Sequence, residues 1–258
     1  CVPRQKNLIL PPFACRPACP GVGGAGYASR SNPSEKAGGR RQAVRRRGWF
    51  ITFEGPEGAG KTTQARRLVA RLEAAGRRTL YTREPGGTPT GEAIRNILQH
   101  DCTSEPPCPE AEVLLFAASR AQLVRKIILP ALEEGACVVC DRFADSTTAY
   151  QGFGRGFGVE AMLAINAFAI DGAVPDITFL LDLDVAAGFE RLKQPDGSGA
   201  RELDRIEREA RAFHEQVRAG YLDLARRWPE RFRIIDAGRA EDVVAEAIWK
   251  QVCDVLGA

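Results

Sequence analysis

The eight residues Gly55-Pro56-Glu57-Gly58-Ala59-Gly60-Lys61-Thr62 constrain this 258-residue chain more than any other stretch. They fit GxxxxGK[ST] at every fixed position. The β-rich run Trp49–Glu54 precedes them. Lys61–Ala75 follows, with apolar residues at Ala65, Leu68, Val69, Leu72 and Ala75, a helical period that Gly76 stops. Strand, glycine-rich turn and helix in that order make a phosphate cradle. Glycines let several backbone N–H groups face one anion, and the helix start adds the positive end of its dipole. Lys61 then reaches the outer phosphates and Thr62 offers a hydroxyl to Mg²⁺. Residues Gly55 through Thr63 are the expected nucleoside-triphosphate site, with Lys61 as a catalytic cation. A merely structural glycine turn has no need of Lys and Thr at those offsets.

Alternating signals continue to the end of the chain. Further strands are expected at Arg78–Arg83, Ala136–Cys140, Asp176–Leu183 and Arg231–Asp236. Helices are expected at Thr90–His100, Glu110–Glu134 (bent or broken near Pro130), Glu160–Ile170, Arg201–Arg227 (continuous or broken around Gly220) and Ala240–Leu256. Five short strands separated by helices predict an α/β fold in three layers, a five-stranded parallel sheet with helices on both faces.

The first 48 residues differ from the rest. They hold ten Lys/Arg and one acid, a charge of +9, which leaves 26 bases against 32 acids, or −6, on the remaining 210 residues. Pro-rich and Gly-rich pieces alternate there without a sustained period, so the segment is expected to be a disordered basic extension. Its GxGxxG at Gly21, Gly23 and Gly26 lacks the flanking strand and helix that would give it meaning. A transit peptide or a nucleic-acid tail would share this composition. So would an over-extended start, with translation beginning near Val44. No apolar run approaches the roughly 20 residues that span a bilayer. Eight cysteines show no small-domain framework, and Cys137 and Cys140, three apart on a strand, point to opposite faces. Buried free thiols in a reducing compartment are expected.

Two constellations beyond the loop suggest what it serves. The third strand ends in Asp141-Arg142, which puts an acid at a carboxyl end beside the phosphate crevice, where it can hold the metal or its waters. The adjoining guanidinium suits a phosphate. Phe116 and Arg120 are four apart on one helix and share a face, a ring and a cation fit for a nucleotide acceptor; taken alone, they would equally be core and surface. The guanine-reading Asn-Lys-x-Asp is absent.

The runs FITFEGPEGAGKTTQ, TREPGGTPTGEAIR, FAASRAQ, DRFADSTTAYQGFGRG and LDRIERE resemble bacterial thymidylate kinases, in that family's order, over residues 49–258. The resemblance implies transfer of the ATP γ-phosphoryl group to dTMP with Mg²⁺. It implies that Glu57 addresses the dTMP 3′-hydroxyl and the nearby metal, that Phe116 stacks on thymine, and that Arg120 contacts the base edge. Arg83 and Arg142 would position phosphates, Arg142 catalytically. Ser146, Thr147, Tyr150 and Gln151 would line base and sugar, with Tyr150 crowding the 2′ position. The Asp236-Ala237-Gly238 turn would sit on the adenine side. Some members carry an arginine within the phosphate loop and others supply it from a lid; Gly58 implies the second type. The lid is expected at 193–205, with Arg201 as its catalytic cation, while Arg205 could instead pair with Asp204 or Glu207.

A phosphate-oxygen nucleophile needs no strong base, and His100 and His214 are both expected on the solvated surface. The resemblance further implies a cytoplasmic homodimer, with helix 160–170 able to serve the dimer or the core. Another phosphate-loop kinase acting on a related small acceptor is the nearest alternative. A nucleic-acid-binding protein using the basic arm is the other; the body's charge of −6 argues against it and no nucleic-acid partner is expected.

Overall fold

The chain divides into residues 1–43 and 44–258. A computed structural model describes residues 48–100, 105–193 and 203–256, so the basic extension, a start near Val44 and most of the expected lid lie outside the described residues.

Within the second unit β1 (Trp49–Glu54), β2 (Thr79–Arg83), β3 (Cys137–Asp141), β4 (Ile177–Asp182) and β5 (Phe232–Asp236) form one parallel sheet in the order β2-β3-β1-β4-β5. Its two faces follow from residue alternation. Ile51, Phe53, Cys137 and Val139 face α1 (Lys61–Ala74) and α9 (Glu241–Leu256) in one core. Phe50, Val138 and Cys140 face the opposite layer, packing with Leu123, Val124, Ile128 and Leu132. The two strand cysteines thus lie on opposite faces as unpaired buried thiols, and burial raises the pKa of both.

The opposite layer comprises α3 (Pro109–Leu123), α4 (Leu129–Glu133), α6 (Val159–Ile170) and α8 (Arg211–Arg227). The long helix expected over 110–134 is interrupted by a π-turn at Val124–Ile128, just ahead of Pro130, whose missing N–H removes a ladder bond. α2 (Pro89–Gln99) starts with Pro at its first position, and the hydroxyl of its cap Thr88 accepts from Gly91 N at 3.0 Å.

One expectation fails in α8 and one open alternative is decided. The helix begins at Arg211, not Arg201, because Asp204 Oδ1 accepts from Ile206 N (2.9 Å) and Glu207 N (2.8 Å) and so closes local turns instead. It also runs unbroken through Gly220, where a Cβ would meet the Phe153 ring at 2.7 Å; the glycine is a packing notch and not a breaker. Two helical stretches went unread: α5 (Ala144–Thr147), prolonged as a π-turn over Thr148–Gly154, and α7 (Val185–Lys193).

β1 sits between β3 and β4, where the strand order reverses. The crevice at the carboxyl ends of these central strands receives the turn after β1, the end of β3 and the α5 segment.

Candidate active site

A cavity of about 610 Å³ opens at that crevice. Glu57, Gly58, Gly60, Lys61, Thr62 and Thr63 of the turn line it, together with Arg83, Phe116, Asp141, Arg142, Ser146, Thr147, Tyr150 and Gln151. Of the remaining expected residues, Gly55, Pro56 and Ala59 shape the turn without lining the cavity.

The turn is wrapped around its own lysine. Lys61 Nζ donates to the carbonyls of Gly55 (3.1 Å) and Pro56 (2.7 Å). Burial, then the neighbouring Arg142 charge, lower its pKa to about 8. Thr62 Oγ1 donates to Asp141 Oδ2 in a short bond that brings together the hydroxyl and the carboxylate expected at the metal. Gly58 has φ +69°, and a Cβ there would meet the Gly188 carbonyl of α7 at 2.2 Å. At Gly58 and Gly188 the loop and α7 approach backbone to backbone.

Arg142 takes a left-handed backbone, φ +68°, a conformation costly for a residue with a Cβ. That bend turns its guanidinium toward the loop. Nη2 donates to both Glu57 oxygens at 2.8 Å, and Tyr150 Oη donates to Glu57 Oε1 at 2.6 Å. Burial alone would raise the Glu57 pKa, but Arg142, Lys61 and the Tyr150 hydroxyl outweigh it and hold the value near 2. The Arg142 charge lies 5.2 Å from the Tyr150 ring centre. Both Glu57 oxygens are thereby engaged by protein donors, whereas Thr62 and Asp141 are bound to each other. Among the described residues no group of three or more His, Cys, Asp and Glu could hold a metal by itself. One hydroxyl and one carboxylate do fit Mg²⁺, which retains waters and shares phosphate oxygens.

Behind the Arg142 wall Glu54 is fully buried and accepts from Phe143 N (2.8 Å), Ser146 N (3.2 Å), Ser146 Oγ (2.6 Å) and Tyr221 Oη (2.9 Å). Burial, then Asp145, raise its pKa to about 7 against those donors. Ser146 therefore anchors the wall as well as lining it.

Arg120 does not line the cavity. It is 1% exposed, and its guanidinium donates to Glu84 Oε2 (2.8 Å), Asn166 Oδ1 (2.7 Å), Thr147 Oγ1 (2.8 Å) and the Phe143 carbonyl (3.3 Å). Arg83 lines the cavity and pairs with Glu92 at 3.1 Å. Arg205 pairs with Glu112, a carboxylate that was not among its expected partners, and donates to the Leu98 carbonyl at 3.0 Å. Arg201 lies outside the described residues. His214 overturns its expected place on the surface: it is 2% exposed, with rings of Phe189 and Phe213 edge-on at 4.9 and 5.3 Å. Burial lowers its pKa. His100 is exposed as expected.

Two cavity cations, Arg66 and Arg95, escaped the sequence reading. Arg66 follows Thr62 by one helical turn, a spacing that could have flagged it. Arg95 donates to the Pro85 carbonyl at 2.9 Å; burial, then Arg83, lower its pKa. Arg191 donates to the Ala237 carbonyl at 2.9 Å, which ties α7 to the Asp236-Ala237-Gly238 turn. That turn itself does not line the cavity.

The cavity joins a triphosphate cradle to a second wall carrying an aromatic ring, hydroxyls, an amide and arginines. The family model described as Thymidylate kinase matches residues 53–248. A thymidylate kinase of Pelotomaculum thermopropionicum is 50% identical over 212 residues, 82% of this chain and 96% of the relative. One of Deinococcus radiodurans is 48% identical over 207 residues, 80% and 97% of the two chains. The crystal structure of thymidylate kinase from Ehrlichia chaffeensis superposes with a TM-score of 0.61 at 34% identity, covering 80% of this chain and 98% of that one.

Proposed function

The chain belongs to the thymidylate kinase family, whose members phosphorylate dTMP to dTDP with ATP, and we propose that its two substrates meet at the Glu57 carboxylate. The reaction itself follows from membership. Its assignment to residues rests on one observation: Glu57 of the ATP cradle is bound by Arg142 and Tyr150 of the acceptor wall.

In this reading Gly55 through Thr63 bind the ATP phosphates, and Lys61 and Arg142 supply positive charge to the transferred group. Thr62 and Asp141 hold Mg²⁺, which supplies further charge neutralisation to the phosphates when bound. Arg83 and the newly found Arg95 face the acceptor phosphate. Glu57, oriented by its two partners, accepts from the 3′-hydroxyl, and Tyr150 fills the space a 2′-hydroxyl would need. Phe116 stacks on the base; Thr147 and Gln151 address its edge, with Arg120 directly behind Thr147. Ser146 braces this wall through Glu54. Arg201, from 193–205, is the cation proposed to reach the transferred phosphoryl.

Such a site works by positioning and charge rather than by covalent chemistry. The attacking dTMP phosphate oxygen is ionised near neutral pH, so no general base is required. Neither histidine is placed as one: His100 is exposed and His214 is packed between phenylalanines.

Dimerisation is proposed through α3 and α6, whose outer faces carry Leu114 at 61% and Phe168 at 85% exposure. Exposed Ala161, Ala164 and Ala167 flank Phe168, and Arg125 pairs with Asp171 where the two helices end. Large exposed apolar side chains on neighbouring helices favour a protein partner. Among the described residues no helix is long and apolar enough to cross a membrane. Unpaired thiols and nucleotide substrates support a cytoplasmic setting.

The decisive experiment measures ADP release with dTMP, dUMP, CMP and shikimate. Turnover is expected on dTMP above all others; none on dTMP would transfer the reading to another small acceptor.

A further inference from the structure

Three oxygens behind Arg142 form a closed triangle. Glu54 Oε2 lies 2.6 Å from Ser146 Oγ and 2.9 Å from Tyr221 Oη, and the two hydroxyl oxygens lie 2.8 Å from each other. All three separations are those of O–H···O hydrogen bonds, and each such bond needs a proton of its own. The hydroxyls bring one proton apiece, so two protons serve three contacts. With Glu54 ionised, one pair of oxygens faces across hydrogen-bond distance with nothing between.

The carboxyl is the group that can bring the third proton. Its Oε1 accepts from Phe143 N at 2.8 Å and Ser146 N at 3.2 Å, which leaves Oε2 to carry it. Arg142 Nη1 stands 3.5 Å from both Ser146 Oγ and Tyr221 Oη, too far to close the gap. A protonated Oε2 donates to one hydroxyl, that hydroxyl donates to the other, and the second donates back to Oε2. Every contact is then filled and both backbone donors are kept. The surroundings favour this state. Glu54 is fully buried, and Asp145 of α5, itself paired with Arg231, opposes its ionisation. Arg142 favours ionisation, and Lys61 of α1 and Cys140 of β3 also lie within electrostatic reach. Burial, then Asp145, prevail and raise the pKa to about 7.

We propose that Glu54 is a positioning residue that carries a proton on Oε2, closes a ring of three hydrogen bonds with Ser146 and Tyr221, and so braces Arg142 without competing for its charge. The Phe143 N–H bound by Glu54 directly follows the left-handed bend at Arg142, so the same carboxyl also fixes that bend. An ionised Glu54 would set a second carboxylate behind Arg142 and near Lys61. It would draw on the positive charge that both cations direct at the transferred phosphoryl group. This rests on the reading of Arg142 and Lys61 as the cations at that group.

Glu54→Gln tests it. A glutamine offers its Nε2 protons to both hydroxyls and its oxygen to the two backbone N–H groups, and it never ionises. The ratio of variant to wild-type kcat should rise about fivefold between about pH 6 and about pH 8, because only the wild type gains the buried charge. Titrations of Lys61 and of the dTMP phosphate fall on both proteins. A Glu54 with a merely structural part would lower kcat by one factor at every pH, and a ratio that does not rise with pH overturns the proposal. Should Glu54→Gln not fold, carbon-13 NMR of glutamate-labelled wild-type protein decides. A Glu54 side-chain carboxyl resonance, assigned through its backbone, that sits at the neutral-acid position at about pH 6 and moves to the carboxylate position as pH rises supports the ring. A carboxylate resonance already present at about pH 6 refutes it. An Arg142→Ala enzyme with wild-type kcat removes the reading of Arg142 and this inference together, whereas an impaired Arg142→Ala enzyme with a level Glu54→Gln ratio removes this inference alone.

Discussion

Arg142 and Glu57 lie 85 residues apart in sequence and meet through a guanidinium nitrogen placed 2.8 Å from both carboxylate oxygens. The contact joins the end of β3 to the loop after β1 and leaves each group charged.

Removing the carboxylate's charge should therefore disturb both substrates. Glu57→Gln is expected to lower kcat/KM for dTMP by about a hundredfold, roughly 3 kcal/mol, the scale of a lost buried charge-assisted bond. Tyr150→Phe deletes one donor to the same carboxylate and should cost about tenfold, mainly in the KM for dTMP. Steady-state kinetics of both variants check this; a Tyr150→Phe enzyme as impaired as Glu57→Gln would assign the tyrosine a larger part.

Asp141→Asn keeps the acceptor for Thr62 and removes a charge from the metal position. The Mg²⁺ concentration for half-maximal activity should rise about tenfold, while dTMP binding measured without metal stays the same. Equal Mg²⁺ titrations for variant and wild type would move the metal elsewhere.

Stability should depend on pH through Glu54. Its folded pKa, about 7, lies above the ordinary value of 4.5. The associated stability is full below pH 4.5 and is lost as pH rises through 7, a change of about 3 kcal/mol. Glu54→Gln removes this titration, so the variant should gain stability relative to wild type between pH 5 and 8. Thermal melts across that range test the sign; a gap independent of pH contradicts it.

Arg201→Ala should lower kcat by two or more orders of magnitude with little change in dTMP affinity, the pattern of a cation acting on the transferred phosphoryl. An unchanged kcat reassigns that charge to another residue.

Phe168→Asp should shift a dimer toward monomer in sedimentation velocity without lowering the thermal midpoint of the isolated subunit, because the ring is 85% exposed. A wild-type protein that sediments as a monomer at micromolar concentration rejects this interface.

Much of this architecture was legible because its signals are local. The phosphate loop declares itself within eight residues, and each strand within five or six. The opposed cysteines follow from strand alternation alone. What escaped depends on distant partners. Arg95 enters the cavity because α2 is oriented by Thr88 and Pro85, and α7, unread in the sequence, lies against the loop. Arg120, expected at the base edge, is buried behind it, because only the fold brings Glu84, Asn166 and Thr147 around it. His214 was hidden by its charged neighbours, although its spacing to Val217 and Tyr221 already placed it on the buried seam of α8. Helix 201–227 was drawn too long because a side-chain turn at Asp204 competes with helix in a way that periodicity does not register.

The contact between Gly58 and Gly188 carries a historical consequence. A chain of this kind could acquire an arginine within its phosphate loop only after the helix at 188 had drawn away, since any side chain at 58 would run into that carbonyl. Nor could 188 accept even a methyl group first, because it would strike the Glu57 carbonyl at 2.2 Å. Each glycine faces a backbone carbonyl of the opposite segment, which no exchange of side chains removes. A side chain at either position thus calls for a backbone shift first, and single substitutions, taken in either order, meet a barrier at the first step.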